Sequence, residues 1–261
     1  MKMVPWLVLA ALVAGAVACS GPEPSASEPP AAGPSAVPTG ARPSVPATLM
    51  PIGTRPLRYV ALGDSYTLGA RVRLQDNWPN QLVRALDGEI PMVVTANLAQ
   101  SGRTSQDVID EQLWVLRTLR PELVSLLVGA NDVIAPEVGP DDYRANVATI
   151  LDALLAELPA QRIFVVTTPD HTLTPRGGDY GDPVVQRAGI AEANAILGEE
   201  AASRGIHVID IGPISSRVAD DPSLVAPDGL HPSAKQFAGW VEIIAPQVRA
   251  LLLGDPGGAE P

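Results

Sequence analysis

The sequence predicts a three-layer α/β domain on a five-stranded parallel sheet, and two observations carry that expectation. Short, near-continuously apolar runs rich in Val and Ile recur along the chain, the pattern of parallel strands covered on both faces. Segments of helical spacing separate them, and this alternation shows no second shift in composition, which means one domain.

The strands read as Arg58–Gly63, Met92–Leu98, Leu123–Val128, Arg162–Thr168 and His207–Ile211. Helices are expected over Leu74–Leu86, Ser105–Leu119, Pro140–Leu158 and Pro183–Arg204. The spacing of Val147, Ile150, Leu151, Leu154 and Leu155 puts them on one helical face. Thr104-Ser105 before Asp107, and Asp141-Asp142, mark helix starts. A closing helix follows Pro232 and carries Trp240, Ile243, Ile244, Val248 and Leu251; Pro232 suits its first turn. There is no internal repeat. No Gly-x-Gly-x-x-Gly follows a strand and no P-loop lysine exists, which excludes those nucleotide-binding signatures.

Around this domain, from residue 57 to 253, the composition changes. Residues 1–18 read as a signal peptide: Lys2 is the charged start, Val4–Val17 the apolar stretch and Ala16-Val17-Ala18 the small-residue cleavage site. The apolar stretch is too short for a comfortable membrane span. Residues 19–56, rich in Pro, Ala, Ser and Gly, lack the apolar surface to offset ordering entropy and read as a disordered tether. Residues 254–261 form a loose tail. The net charge of −11 argues against nucleic acid as a partner, since a polyanion would be repelled. The one cysteine, Cys19, excludes an intramolecular disulfide and a cysteine-based zinc site.

Ligands of open parallel sheets bind at the carboxyl ends of the strands. Ser65, Gly102 and Asn131 follow the first three strands, and Asp228 and His231 follow the fifth, so the fold is expected to gather them at one edge. A serine hydroxyl needs a base within hydrogen-bond reach to become a nucleophile. His231 suits that task, since an imidazole can both take and give a proton near neutral pH. Asp228, three residues earlier, can hold its other ring nitrogen and stabilise the imidazolium. Acyl transfer also needs donors aimed at the developing oxyanion. The N–H groups of Ser65 and Gly102 and the side-chain amide of Asn131 can supply them. No metal and no cofactor is called for.

Gly63-Asp64-Ser65-Tyr66, Gly102, Gly129-Ala130-Asn131-Asp132 and Asp228-Gly229-Leu230-His231-Pro232 together resemble the SGNH (GDSL) hydrolase family. The resemblance runs from about Tyr59 to Leu253. It implies a flavodoxin-like sheet, a Ser65–His231–Asp228 triad, and an oxyanion hole of Ser65, Gly102 and Asn131. Trp78-Pro79 with Leu82, and Ser101-Gly102-Arg103-Thr104-Ser105, are similar to its thioesterase/lysophospholipase branch. Tyr66 stands where the family's name would have leucine. The Gly-x-Ser-x-Gly elbow of α/β-hydrolases is absent around Ser65. Cys19, directly after Ala18, resembles the lipidated cysteine of bacterial lipoproteins, although Ala16 replaces the usual leucine three residues before it.

The expected function is an extracytoplasmic serine esterase acting on acyl esters or thioesters, monomeric and anchored to a membrane through Cys19. Two alternatives stay open. One is an O-acetyl deacetylase of cell-envelope polysaccharide; the other is a non-catalytic surface lipoprotein that binds a lipid or glycan. His207 reads as structural. His171 opens the loop Pro169–Pro183, which can line an acyl pocket, act as a lid or simply face solvent.

Overall fold

The computed structural model describes residues 55–135, 137 and 139–254; the expected signal peptide, Cys19, most of the tether and residues 255–261 lie outside them. Five strands form one sheet: β1 Leu57–Gly63, β2 Met92–Asn97, β3 Leu123–Leu127, β4 Ile163–Val166 and β5 His207–Ile209. Their spatial order is β2-β1-β3-β4-β5 and every pairing is parallel. The expected α/β class and five-stranded sheet are therefore observed. Because β2 and β3 lie on opposite sides of β1, the winding direction reverses at β1, and such a reversal opens a crevice at the strands' carboxyl ends.

Alternate residues of each strand feed two cores. One face carries Tyr59, Leu123, Leu127, Phe164 and Val166, the other Val60, Leu62, Val124, Leu126 and Val165. Helices α2 (Trp78–Ala85) and α9 (Ala234–Leu253) cover the first face, bringing Trp78, Phe237 and Trp240. Helices α4 (Leu113–Leu119), α6 (Pro140–Leu155) and α7 (Pro183–Ala202) cover the second with aliphatic side chains and Tyr143. Each fully buried large apolar side chain contributes roughly 1.5–3 kcal/mol before entropy is counted. The strands β1, β3 and β4 are buried almost throughout, but β2 and β5 are edges, and Val93 on β2 is exposed.

Several boundaries differ from expectation for local reasons. The helix expected over Leu74–Leu86 is broken: a 3₁₀ turn, Leu74–Asp76, precedes α2, because the Asn77 side chain caps the Asn80 N–H and Pro79 sits in the first turn. The helix expected over Ser105–Leu119 is three pieces, α3 (Ser105–Asp107), a π-helical turn (Val108–Gln112) and α4. The Thr104–Asp107 start is a reciprocal capping box. Pro232 is not in the first turn of α9; Ser233 caps that helix, accepting from the Gln236 N–H, and leaves Pro232 outside it. Short helices α1 (Ser65–Leu68), α5 (Ala130–Ile134) and α8 (Gly212–Ser215) have too few residues for a periodic signal. At the start of the described chain Arg55, expected in the tether, makes a bidentate contact with Glu122 at 2.6 and 2.7 Å.

Candidate active site

Ser65 opens α1 at the end of β1, and two constraints shape that turn. Gly63 has φ +140, and a Cβ there would lie 2.1 Å from the Leu127 carbonyl oxygen on β3, so only glycine fits. The Gln112 side chain brackets the Gly63 peptide, its Oε1 accepting from the N–H at 2.9 Å and its Nε2 donating to the carbonyl at 2.8 Å. Gln112 closes the π-helical turn, a local widening often found at functional sites. Asp64 then caps α1 by accepting from the Tyr66 N–H at 2.9 Å. Complete burial pushes the Asp64 carboxyl up to about 7, and its second oxygen has no partner among the described residues. Ser65 is 8% exposed, and its N–H is one of those that a helix start leaves without an intrahelical acceptor.

The loops after β2 and β3 meet beside this turn. Gly102 has φ +80 and open space around the position of a Cβ, so backbone conformation rather than crowding calls for glycine. Two consecutive residues of α5 hold that loop in place. Asn131 donates through Nδ2 to the Arg103 carbonyl at 2.9 Å, which leaves its second amide hydrogen available. The Asp132 carboxylate accepts from the Ser105 N–H at 2.9 and 3.0 Å and from the Ser105 hydroxyl. Asn146 donates to that hydroxyl at 3.0 Å. Burial raises the Asp132 carboxyl, while the Ser105 hydrogen bonds pull it down.

Asp228 and His231 sit in a turn closed on itself. His231 Nδ1 lies 2.6 Å from Asp228 Oδ2, while Asp228 Oδ1 accepts from the Leu230 N–H at 3.1 Å and the His231 N–H at 3.0 Å. Partial burial pushes the Asp228 carboxyl up, but the His231 ring and the two N–H donors outweigh it and hold it near 2. The carboxylate is therefore ionised at any working pH. The His231 and Tyr66 rings are 6.0 Å apart, which brings the turn against the residue next to Ser65. No hydrogen bond joins the Ser65 hydroxyl to His231 among the described residues; such bonds are commonly long without substrate and tighten on binding. Arg71 reaches Asp228 Oδ2 at 3.4 Å from the other side.

The structure thus gathers Ser65, Gly102, Asn131, Asp228 and His231 at the carboxyl edge of the sheet. Sequence reasoning missed Gln112 and the Ser105–Asp132 pair; Asp132 was visible as the neighbour of Asn131, but no local signal links Gln112 to Gly63. His207 pairs with Gln247 on α9 at 2.8 Å, away from these groups. The loop after β4 packs on the Asp228–His231 turn, Arg176 donating its N–H to the Gly229 carbonyl at 2.9 Å. Within it His171 is buried beside Tyr180, and burial lowers its pKa, favouring the neutral ring. A cleft of about 150 Å³ opens on the Asn131 side, lined by Asp132, Val133, Tyr143, Gln186, Gly189 and Ile196; it does not enclose Ser65.

Among solved structures the chain is similar to the lipase/acylhydrolase from Enterococcus faecalis, at 20% identity and TM-score 0.62, covering 78% of this chain and all of that one. It is also similar to a variant of an acetyl xylan esterase from Geobacillus stearothermophilus, at 17% identity and TM-score 0.59, over 74% of this chain and 95% of that one. A third likeness is to TesA, at 20% identity and TM-score 0.59, over 75% and 99% of the two chains. At these identities the likenesses speak for the fold. No curated protein sequence matches the chain. The sequence model of the GDSL-like lipase/acylhydrolase family matches residues 61–237, the span that holds Ser65, Gly102, Asn131, Asp228 and His231. The chain belongs to the GDSL-like lipase/acylhydrolase family and is an ester-hydrolysing serine hydrolase.

Proposed function

We propose that the protein is an extracytoplasmic serine esterase that cleaves acyl esters or thioesters through Ser65, His231 and Asp228. The observation that carries this reading is the 2.6 Å contact between His231 Nδ1 and an ionised Asp228, set beside the Ser65 turn. Asp228 fixes the ring so that Nε2 faces the nucleophile, and it stabilises the imidazolium formed when His231 takes the Ser65 proton. Ser65 Oγ attacks the acyl carbon, and its oxygen becomes an oxyanion. The N–H groups of Ser65 and Gly102 and Nδ2 of Asn131 receive that charge, each worth on the order of 3 kcal/mol in the transition state. His231 then hands its proton to the leaving alcohol or thiol. Water, activated by the same imidazole, releases the acid.

The substrate is a small acyl ester, a lipid or an acetylated glycan. The likeness to an acetyl xylan esterase favours O-acetyl removal as the second reading. The protein acts as a monomer, and an acylated Cys19 would hold it at a membrane, with the Pro-rich segment as spacer, at about 3 Å per residue where extended.

The test is hydrolysis of p-nitrophenyl esters from acetate to palmitate by the wild-type protein and by Ser65→Ala. The variant should fold normally and lose turnover by orders of magnitude, because triad members act as a unit. Near wild-type activity in a folded Ser65→Ala protein would overturn the mechanism. Activity confined to acetate would select the deacetylase reading.

A further inference from the structure

Three arginines on three loops border the site. Arg103 follows Gly102 and pairs with Glu111 at 2.8 Å; Arg176 packs on Gly229 and pairs with Asp179 at 2.7 Å. Arg71, in the loop after α1, has a different situation. Its one ion-pair partner among the described residues is Asp228 at 3.4 Å, whose same oxygen already takes His231 at 2.6 Å. Its side chain remains 66% exposed. The guanidinium is thus loosely held at the mouth of the site, with most of its five donors facing solvent.

The backbone beneath it is unusual. The Val72 N–H donates to the Gly69 carbonyl at 3.2 Å, so Gly69–Val72 is a β-turn with Arg71 in third position, at φ +70. A turn of that shape ordinarily takes Gly or Asn there. The other non-glycine residue with positive φ, Arg120, ends α4, where a left-handed residue is commonplace. A glycine at residue 71 would relieve the backbone, and the chain carries a long cation there instead. Such strain tends to collect where a side chain has work to do.

Charge and placement suggest what that work is. With a net charge of −11 the surface repels anions, so an anionic substrate must be met by a local cation. Arg71 stands on the Asp228–His231 side rather than on the Asn131 side, and His231 is the group that protonates the departing alcohol. Resting on the esterase reading above, we propose that Arg71 binds an anionic group, phosphate or carboxylate, carried on the alcohol portion of the ester. The anion would draw the guanidinium from Asp228 and leave that carboxylate to His231 alone. A planar five-donor cation is suited to grip either oxyanion through two hydrogen bonds.

The experiment uses three butyryl esters on one three-carbon scaffold: of glycerol, of glyceric acid and of glycerol 3-phosphate. The full-length protein, Arg71→Gly and Arg71→Lys are compared by kcat/KM and by thermal melting. The wild-type protein should favour at least one anionic ester over the glycerol ester. Arg71→Gly should reduce that preference about tenfold or more, chiefly through KM, while melting no lower than wild type. Arg71→Lys should restore part of it, and salt at about 1 M should erode it. Which anionic ester is preferred distinguishes phosphate from carboxylate recognition. No preference for either anion in the wild type overturns the proposal. So does an equal slowing of all three esters in Arg71→Gly, which would make Arg71 only a support for Asp228. Failure of the wild type to cleave any of them, or p-nitrophenyl butyrate, would instead strike the esterase reading itself and the proposal with it.

Discussion

The Ser65 turn and the Asp228–His231 turn lie side by side, yet they are built in opposite ways. The first is gripped from a distance. Gln112, 49 residues along, brackets the Gly63 peptide, and the Leu127 carbonyl of β3 crowds the position where a Cβ would stand. The second is self-contained, since Asp228 organises the N–H groups two and three residues ahead and the ring of His231. The difference follows from what each must hold. A hydroxyl at a strand end has to be fixed relative to the sheet, whereas the base and its carboxylate need only be fixed relative to each other.

Glycine replacements should separate the two turns most sharply. In Gly63→Ala the new methyl meets backbone at 2.1 Å, which cannot move without shifting β3. The loss should be on the order of 4 kcal/mol or more, enough to prevent isolation of folded protein at ordinary temperature. Gly229→Ala, at φ +76, meets the flexible Arg176 side chain at 3.1 Å and Pro175 at an ordinary contact distance of 3.7 Å. Its cost should be about 1 kcal/mol, the left-handed strain alone. Soluble yield of Gly63→Ala and a denaturant melt of Gly229→Ala measure the contrast, and a folded Gly63→Ala protein that melts beside Gly229→Ala would erase it.

Gln112→Met tests the distant grip with its volume nearly kept. It strands the Gly63 N–H in a buried setting, at about 1–3 kcal/mol, and leaves the Gly63 carbonyl only the Gln100 N–H at 3.3 Å. Turnover should fall more than stability alone explains, because the Ser65 turn loses its register. A destabilised variant with unchanged kcat would show that Gln112 supports the fold and leaves the nucleophile untouched.

A slope with pH is expected from the carboxyl group of the same turn. Burial holds the folded-state pKa of Asp64 near 7, above the value of about 4 for an unfolded carboxylate. Between those values the folded protein binds a proton that the unfolded chain has lost. Stability should therefore fall as pH rises from about 4 to about 7 and then level off. Asp64→Asn keeps an acceptor for the Tyr66 N–H and removes the ionisation, so its melting temperature should gain on wild type across that window. Melts at several pH values check this; parallel curves would mean that Asp64 titrates as an ordinary carboxylate.

The amino-acid order alone determined the class of fold and the members of the candidate site. Apolar runs report burial on both sheet faces whatever the neighbours are. Residues at the ends of such runs must fall on one edge when all strands are parallel. The Asp228–His231 turn was readable for the same reason: its hydrogen bonds span three residues or fewer. The carboxyl ends of β2, β3, β4 and β5 were read one to two residues too long, whereas β1 begins one residue earlier than expected, at Leu57, because strand-like composition does not change at the residue where the ladder stops. Tertiary structure alone decided that β2 and β3 flank β1, and so brought Asn131 and Asp132 onto the Gly102 loop. It also decided that Gln112 closes on Gly63 and that Arg71 reaches Asp228. A polar side chain's partner across tens of residues leaves no periodic trace in sequence; it exists only when packing of the two cores carries the segments together.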